Sequence, residues 1–255
     1  MKIYLADTSI FIHYILPEIQ KEENPYKPNM LFSYYYIDKN PRILSVLPYV
    51  NDLLIDSGAF TFMQNSKNHV DWDEYLERYA AFINKYDIDK FFELDIDSIV
   101  GYEEVKRLRQ KLENITGKKC IPVWHMNRGK NDFLKTCDDY GYVALGGIVG
   151  VKKNDPLVKK YVNTFPWFIE EAHKRGIKIH GLGFTNISGL KKCHFDSVDS
   201  TSWVSGTRFG SVFVFNGKEI KTVRYSNRRV KNPKNVHIHN YKEWCKFQRY
   251  AEVHL

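Results

Sequence analysis

Leu53-Leu54-Ile55-Asp56-Ser57-Gly58-Ala59-Phe60 reads as an apolar strand that ends in a carboxylate and turns on small residues. A short, continuous apolar run of this kind suits a strand buried on both faces, as in a parallel sheet. Asp56, at its C-terminal end, either caps a following helix or faces a ligand. Gly58 and Ala59 allow a ligand close to the backbone, and Phe60 is placed to stack on a flat ring.

Seven comparable runs surround this one: Lys2–Ala6, Met30–Tyr36, Phe91–Asp97, Cys120–Met126, Tyr142–Val149, Lys178–Phe184 and His194–Ser200; the first run itself spans Leu53–Ala59. Between them, Trp72–Tyr86, Tyr102–Ile115 and Asp155–Arg175 carry the spacing of amphipathic helices, the last with Pro166 as a kink or break. Strands alternating with helices predict an α/β fold with a parallel sheet, and eight strands can close into a (β/α)8 TIM-like barrel. An open doubly wound sheet is the alternative. The barrel is favoured by Asp56, Asp95, His125, Gly146-Gly147, Gly183 and Asp199, which lie at or near the C-terminal ends of six different runs. Barrel active sites are assembled at that rim.

Two runs are rich in carboxylates. Alternation along Phe91-Phe92-Glu93-Leu94-Asp95-Ile96-Asp97 puts Glu93, Asp95 and Asp97 on one face, a costly arrangement without donors, cations or ligands. The other reading is a sheet-edge cluster paired with Lys or Arg. In His194-Phe195-Asp196-Ser197-Val198-Asp199, the two Asp residues fall on opposite faces, so only one looks into a barrel mouth. A second carboxylate across from Asp56 is what a retaining glycosyl exchange requires, one group attacking the anomeric carbon while the other moves a proton. Glycines in Tyr142–Ile148 and His180–Phe184 would expose backbone N–H groups to a base edge, with Leu182 over its face; either pair is equally an ordinary turn.

The chain has 255 residues, the size of one barrel domain, and 43% hydrophobic residues with 27% charged ones exclude a disordered or low-complexity protein. Four cysteines without paired spacing predict neither a disulfide framework nor a Cys-x-x-Cys zinc site. The apolar patch Ser9–Leu16 lacks a basic flank and cleavage site, and no run approaches the roughly 18 residues of a membrane span. A cytoplasmic protein with no membrane partner is expected. From residue 201 onward there are eleven basic and three acidic residues, so this tail carries the whole formal charge of +8. Such a basic extension, residues 204–255 of a single domain, suits a polyanion or is simply a solvated surface. Within it, Ser211–Phe215 and Glu219–Tyr225 flank Asn216-Gly217 as a β-hairpin, Ser226–Asn235 is polar and basic, and a helix is expected near Tyr241–Glu252.

Taken in order, these segments resemble the tRNA-guanine transglycosylase superfamily, including its DNA-modifying branch from phages and bacterial genomic islands. Asp56-Ser57-Gly58-Ala59-Phe60 looks like the Asp-Ser-Gly-Gly-Phe motif whose Asp is the general acid/base, with Ala59 in place of the second Gly. Phe60 matches the aromatic residue that sandwiches the base, and Asp95 the Asp that reads the guanine edge. His125, in Pro122-Val123-Trp124-His125, falls where the tRNA enzymes carry a Gln. Gly146-Gly147 is similar to the Gly-Gly of the base pocket, followed here by Ile148, and Leu182-Gly183 to the Met-Gly that covers the base. His194–Thr201 looks like the nucleophile strand, in a register that selects Asp199 over Asp196. The match spans roughly residues 50–203 as ordered short motifs.

The family's Cys-x-Cys-x-x-Cys zinc motif is missing, and His237, His239, Cys245 and His254 follow no standard zinc spacing. With the basic tail, this turns the resemblance toward the DNA branch. It implies replacement of guanine in DNA by a 7-deazaguanine such as 7-cyano-7-deazaguanine (preQ0), without cofactor or metal. DNA would be held by Arg224, Arg228, Arg229, Lys231 and Lys234, and a homodimer is compatible with the sequence. The alternatives are the same chemistry on tRNA, a noncatalytic guanine- or nucleic-acid-binding barrel, and an unrelated barrel glycosidase.

Overall fold

The alternation of apolar runs with amphipathic segments produces a mixed α/β molecule around a curled parallel sheet. The computed structural model describes residues 1–7, 9–58, 61–62, 70–147, 162–184, 187–224 and 231–255. Its strands are β1 Lys2–Ala6, β2 Asn29–Ser33, β3 Asp52–Asp56, β4 Val123–Trp124, β5 Tyr142–Leu145, β6 Lys178–Gly181 and β7 Ser197–Ser200. They pair in the order β3-β2-β1-β7-β6-β5-β4, all parallel. Phe91 and Phe92 link the two edges, Phe91 bridging to Ile55 of β3 and Phe92 to Ile121 just before β4. All C-terminal strand ends therefore share one rim.

The eighth expected strand, Phe91–Asp97, is the main departure from the sequence reading. Phe92 is the last bridged residue, Glu93 N–H still donates to the Ile121 carbonyl at 3.1 Å, and the chain then turns through Ile96 into a short helix, Asp97–Val100. Glu93, Asp95 and Asp97 do not share a face. Glu93 is fully buried, its Oε1 accepting the Val123 N–H at 2.7 Å and its Oε2 lying 3.5 Å from Arg109 Nε. Three carboxylates with three different cationic partners cannot all stay on one strand face, and the backbone leaves the sheet to serve them.

The described α-helices are α1 Leu16–Ile19, α2 Tyr34–Lys39, α3 Trp72–Lys85, α4 Asp97–Val100, α5 Tyr102–Thr116, α6 Gly129–Asp139, α7 Phe165–Lys174, α8 Ile187–Leu190, α9 Ser202–Phe209 and α10 Lys234–His254. The Asp71 side chain caps α3 by accepting the Glu74 N–H at 3.0 Å, and Tyr75, Leu76, Tyr79 and Ile83 bury one stripe of it. The expected helix over Asp155–Arg175 is described from Phe165, with Pro166 in its first turn, where the missing N–H costs nothing; residues 155–161 lie outside the described residues.

Two apolar layers result. The side chains of Tyr4, Leu31, Leu54, Phe92, Ile121, Val123 and Ala144 form a small cluster inside the curl of the sheet. A much larger one packs the outer face against the helices. The hairpin forms as expected, as β8 Ser211–Phe215 against β9 Ile220–Arg224. The final helix is longer than Tyr241–Glu252. It is tied to the body by Gln248, which donates to the carbonyls of Ile3 at 2.7 Å and Asn29 at 2.9 Å. No described helix is long and apolar enough to cross a membrane.

Candidate active site

The rim gathers the sequence candidates from distant parts of the chain: Asp56 ends β3, His125 follows β4, Gly146 follows β5, Leu182-Gly183 follows β6 and Asp199 lies near the end of β7. Strand alternation sends Asp199 inward. Asp196, three residues earlier, sits on the outer side and accepts from the Ile179 N–H at 2.7 Å beside His173 Nε2 at 3.0 Å.

Asp199 is buried at 7% exposure, and both of its hydrogen bonds among the described residues fall on Oδ1. Gly183 N–H donates to it at 2.7 Å, and His180 Nε2 lies 3.2 Å away. Gly183 has φ +63°, a left-handed conformation that costs glycine nothing and aims its N–H back at β7. Asp56 accepts the Gly58 N–H at 3.2 Å. Burial, then the neighbouring charge of Asp199, push its carboxyl up to about 7 against the opposing Gly58 N–H, and the charge of Asp95 adds to the rise. Asp56, Asp95 and Asp199 thus feel one another across a common site.

The opposite flank is built from ion pairs. His125 Nε2 meets Asp95 Oδ1 at 2.6 Å. Burial opposes an imidazolium, but Asp95 outweighs it and holds His125 above its ordinary pKa. Arg128 donates to Asp97 Oδ2 at 2.9 Å and to the Val123 carbonyl at 2.6 Å, with its guanidinium 3.9 Å from the Tyr102 ring centroid. Asp95, Asp97 and His125 each offer an atom within 4.8 Å of the others, a spacing compatible with a metal ion. The Asp95–His125 bond and the Arg128 pair already engage those side chains. Gly146 is required beside them, since a Cβ there would lie 2.6 Å from Val123 Cγ1 and 2.8 Å from His125 Cε1.

Leu182 is partly buried against the inner cluster. Gly147 also sits at the rim, at φ +85°. Phe60, Ile148, Arg228 and Arg229 lie outside the described residues. Arg224 and Lys231 are exposed, whereas Lys234 pairs with Glu18 of α1 at 3.1 Å, so its charge is already engaged. His237, His239, Cys245 and His254 do not converge as a metal cluster among the described residues. His239 bonds the Phe213 carbonyl and His237 stacks on Tyr14.

Sequence reasoning passed over His180, Ser197 and Tyr142. His180 is 0% exposed and bonds Ser197 Oγ through Nδ1 at 2.5 Å; Ser197 Oγ in turn bonds the Tyr142 hydroxyl. Alternation puts Ser197 on the same face as Asp199, but the pairing of β6 with β7 that brings His180 beside both is a tertiary fact.

No family model matches the chain, and no curated protein matches it in sequence. Among solved structures it is similar to a protein assigned as a fructose-1,6-biphosphate aldolase from Coccidioides immitis, with a TM-score of 0.53 and 12% identity over 99% of this chain and 87% of that one. It also matches the copper homeostasis protein CutC from Streptococcus agalactiae, with a TM-score of 0.44 and 12% identity over 79% of this chain and 99% of that one. The first likeness shows a TIM-barrel-like α/β fold and nothing about chemistry; the second is too remote to bear on the chain.

Proposed function

We propose that the protein is a base-exchange glycosyltransferase that replaces guanine in DNA by a 7-deazaguanine, on a closed (β/α)8 barrel. The bridges of Phe91 and Phe92 to the two sheet edges favour closure. The observation that carries the chemistry is the pair Asp56 and Asp199: two carboxylates at one rim whose environments differ, one held by donors and the other poised near neutrality at about 7.

In this reading an Asp199 oxygen attacks C1′ of the target deoxyguanosine. The C1′–N9 bond breaks, its electron pair leaves with the guanine, and Asp56 supplies the proton that neutralises it. An incoming 7-deazaguanine then gives its N9 proton to Asp56, and N9 attacks C1′. The pair of the C1′–O bond returns to Asp199, so two inversions give retention. Asp95 accepts from the base N–H edge, His125 donates to it, and Leu182 covers its face. The target base must leave the helix stack, and the exposed cations Arg224 and Lys231 suit the DNA backbone.

The test is incorporation of labelled guanine by the purified protein into duplex DNA, single-stranded DNA and tRNA in parallel. Label entering DNA and not tRNA, and lost in Asp199→Asn, is the expected result. Label entering tRNA alone replaces the polymer and keeps the chemistry. No label in any polymer overturns the exchange reading.

A further inference from the structure

His180 is a buried titratable group for which the proposed exchange has no role. Its ring is enclosed by Tyr4, Phe92 and Tyr142, with centroids 6.3, 5.3 and 6.4 Å away. Its two nitrogens meet Ser197 Oγ and Asp199 Oδ1. A buried imidazole in such a setting must place its one or two protons where acceptors exist.

One proton order along Tyr142–Ser197–His180–Asp199 gives every donor an acceptor within the chain. Burial pushes the Tyr142 phenol above its ordinary range, so it keeps a proton that it can donate to Ser197 Oγ. Ser197 therefore turns its own hydrogen to His180 Nδ1. An accepting Nδ1 carries no proton, so Nε2 carries it and donates to Asp199 Oδ1. The reverse order would turn the phenol hydrogen away from this chain of side chains.

We propose that His180, held as the neutral Nε2–H tautomer by Ser197 and Tyr142, is the positioning residue of the Asp199 carboxylate. Together with the Gly183 N–H it holds Oδ1 and turns the other oxygen toward the sugar. This rests on the exchange reading of Asp199. Its consequence is unequal for the two displacements. When the glycosyl–Asp199 bond forms, the carboxylate gives up charge. When that bond breaks, the electron pair returns to Asp199, and the two donors stabilise the departing anion. Losing His180 therefore slows release of the adduct more than its formation.

The experiment is a single-turnover assay on end-labelled duplex DNA. The covalent adduct is trapped on a denaturing gel and exchange is followed with labelled guanine. His180→Leu is expected to lower exchange roughly 100-fold, the typical cost of one preorganised donor, while the adduct fraction rises above wild type. His180→Gln, whose amide N–H can reach Asp199 while its carbonyl accepts from Ser197, should recover exchange to within about 10-fold of wild type. Ser197→Ala and Tyr142→Phe should show the same adduct excess to a smaller degree, which guards against a His180→Leu variant that fails to fold.

A purely structural His180 would lower adduct and exchange together, in proportion to folded protein, without rescue by Gln; that result overturns the proposal. So does a folded His180→Leu that matches wild type in both. A wild type that forms no adduct and exchanges no guanine overturns the exchange reading itself, and the positioning role with it. The nitrogen-15 spectrum of His180 separately reports the tautomer: protonation at Nδ1 overturns the proposed chain.

Discussion

The two flanks of the rim handle negative charge in opposite ways. On one, Asp95 meets His125, Asp97 meets Arg128 and, behind them, Glu93 meets Arg109. On the other, Asp56 and Asp199 have no Lys or Arg at ion-pair distance among the described residues; Asp199 meets the Gly183 N–H and the His180 ring, and Asp56 is buried with the Gly58 N–H. A paired carboxylate keeps its orientation, though burial still raises Glu93 to about 7 beside Arg109. One that is buried without a cation answers by changing its protonation. The first flank is therefore suited to holding a ligand, and the second to moving a proton and a glycosyl group.

Breaking the unpaired flank should have the largest effect. Asp199→Asn is expected to fold, to bind substrate and to lose exchange by at least about 10,000-fold with no covalent adduct, as in other nucleophile deletions. Circular dichroism melts and the trapped-adduct gel check it together. If Asp196→Asn abolished exchange while Asp199→Asn retained it, the inner and outer faces of β7 would have to trade roles.

Asp56→Asn should cost roughly 100- to 10,000-fold, the range for a general acid/base. With its carboxyl at about 7, adduct formation by wild type should fall as pH rises through that value. The same shift has a thermodynamic sign. The folded protein retains a proton that the unfolded chain releases at ordinary carboxyl values. Stability is therefore fully present at acid pH and is lost as pH climbs toward about 7. Thermal melts from pH 4 to 8 should fall less steeply in Asp56→Asn than in wild type, with Glu93, also raised to about 7 by burial, contributing to both.

On the paired flank, Arg109→Leu strands the fully buried Glu93 and should cost about 3 kcal/mol in urea denaturation, more above pH 7 than below it. Glu93→Gln in the same background should recover most of that loss. The smallest effect belongs to His125→Gln, which keeps a donor beside Asp95: a KM for the free base raised about 10-fold with kcat little changed marks a binding role. A large loss of kcat would instead move His125 to the reacting flank.

Seven of the eight strands are legible as apolar runs because each buries both faces, and their ends identify the rim. The eighth misleads. The run alternates from Phe92 to Asp97, yet Phe92 is its last bridged residue and Glu93 its last backbone donor to the sheet. The reason is energetic: Glu93, still outward by regular alternation, takes the Val123 N–H and Arg109, while Asp95 and Asp97 meet His125 and Arg128 where the backbone has left the strand, and none of these partners is visible in the local pattern. The tail teaches the same lesson. Its basic count invites a nucleic-acid surface, but Lys234 is paired with Glu18, more than two hundred residues away in sequence, and α10 packs on β1 and β8.

By itself, the sequence determines the succession of strands and helices, the opposite faces of Asp196 and Asp199 and the set of small residues at strand ends. These depend on periods of two and 3.6 residues and on local backbone freedom. Only the tertiary structure decides the partners: β1 between β2 and β7, His180 beside Asp199, His125 beside Asp95. A buried polar group takes whichever donor or charge the packed sheet delivers to it, and that delivery depends on strand order and register across most of the chain.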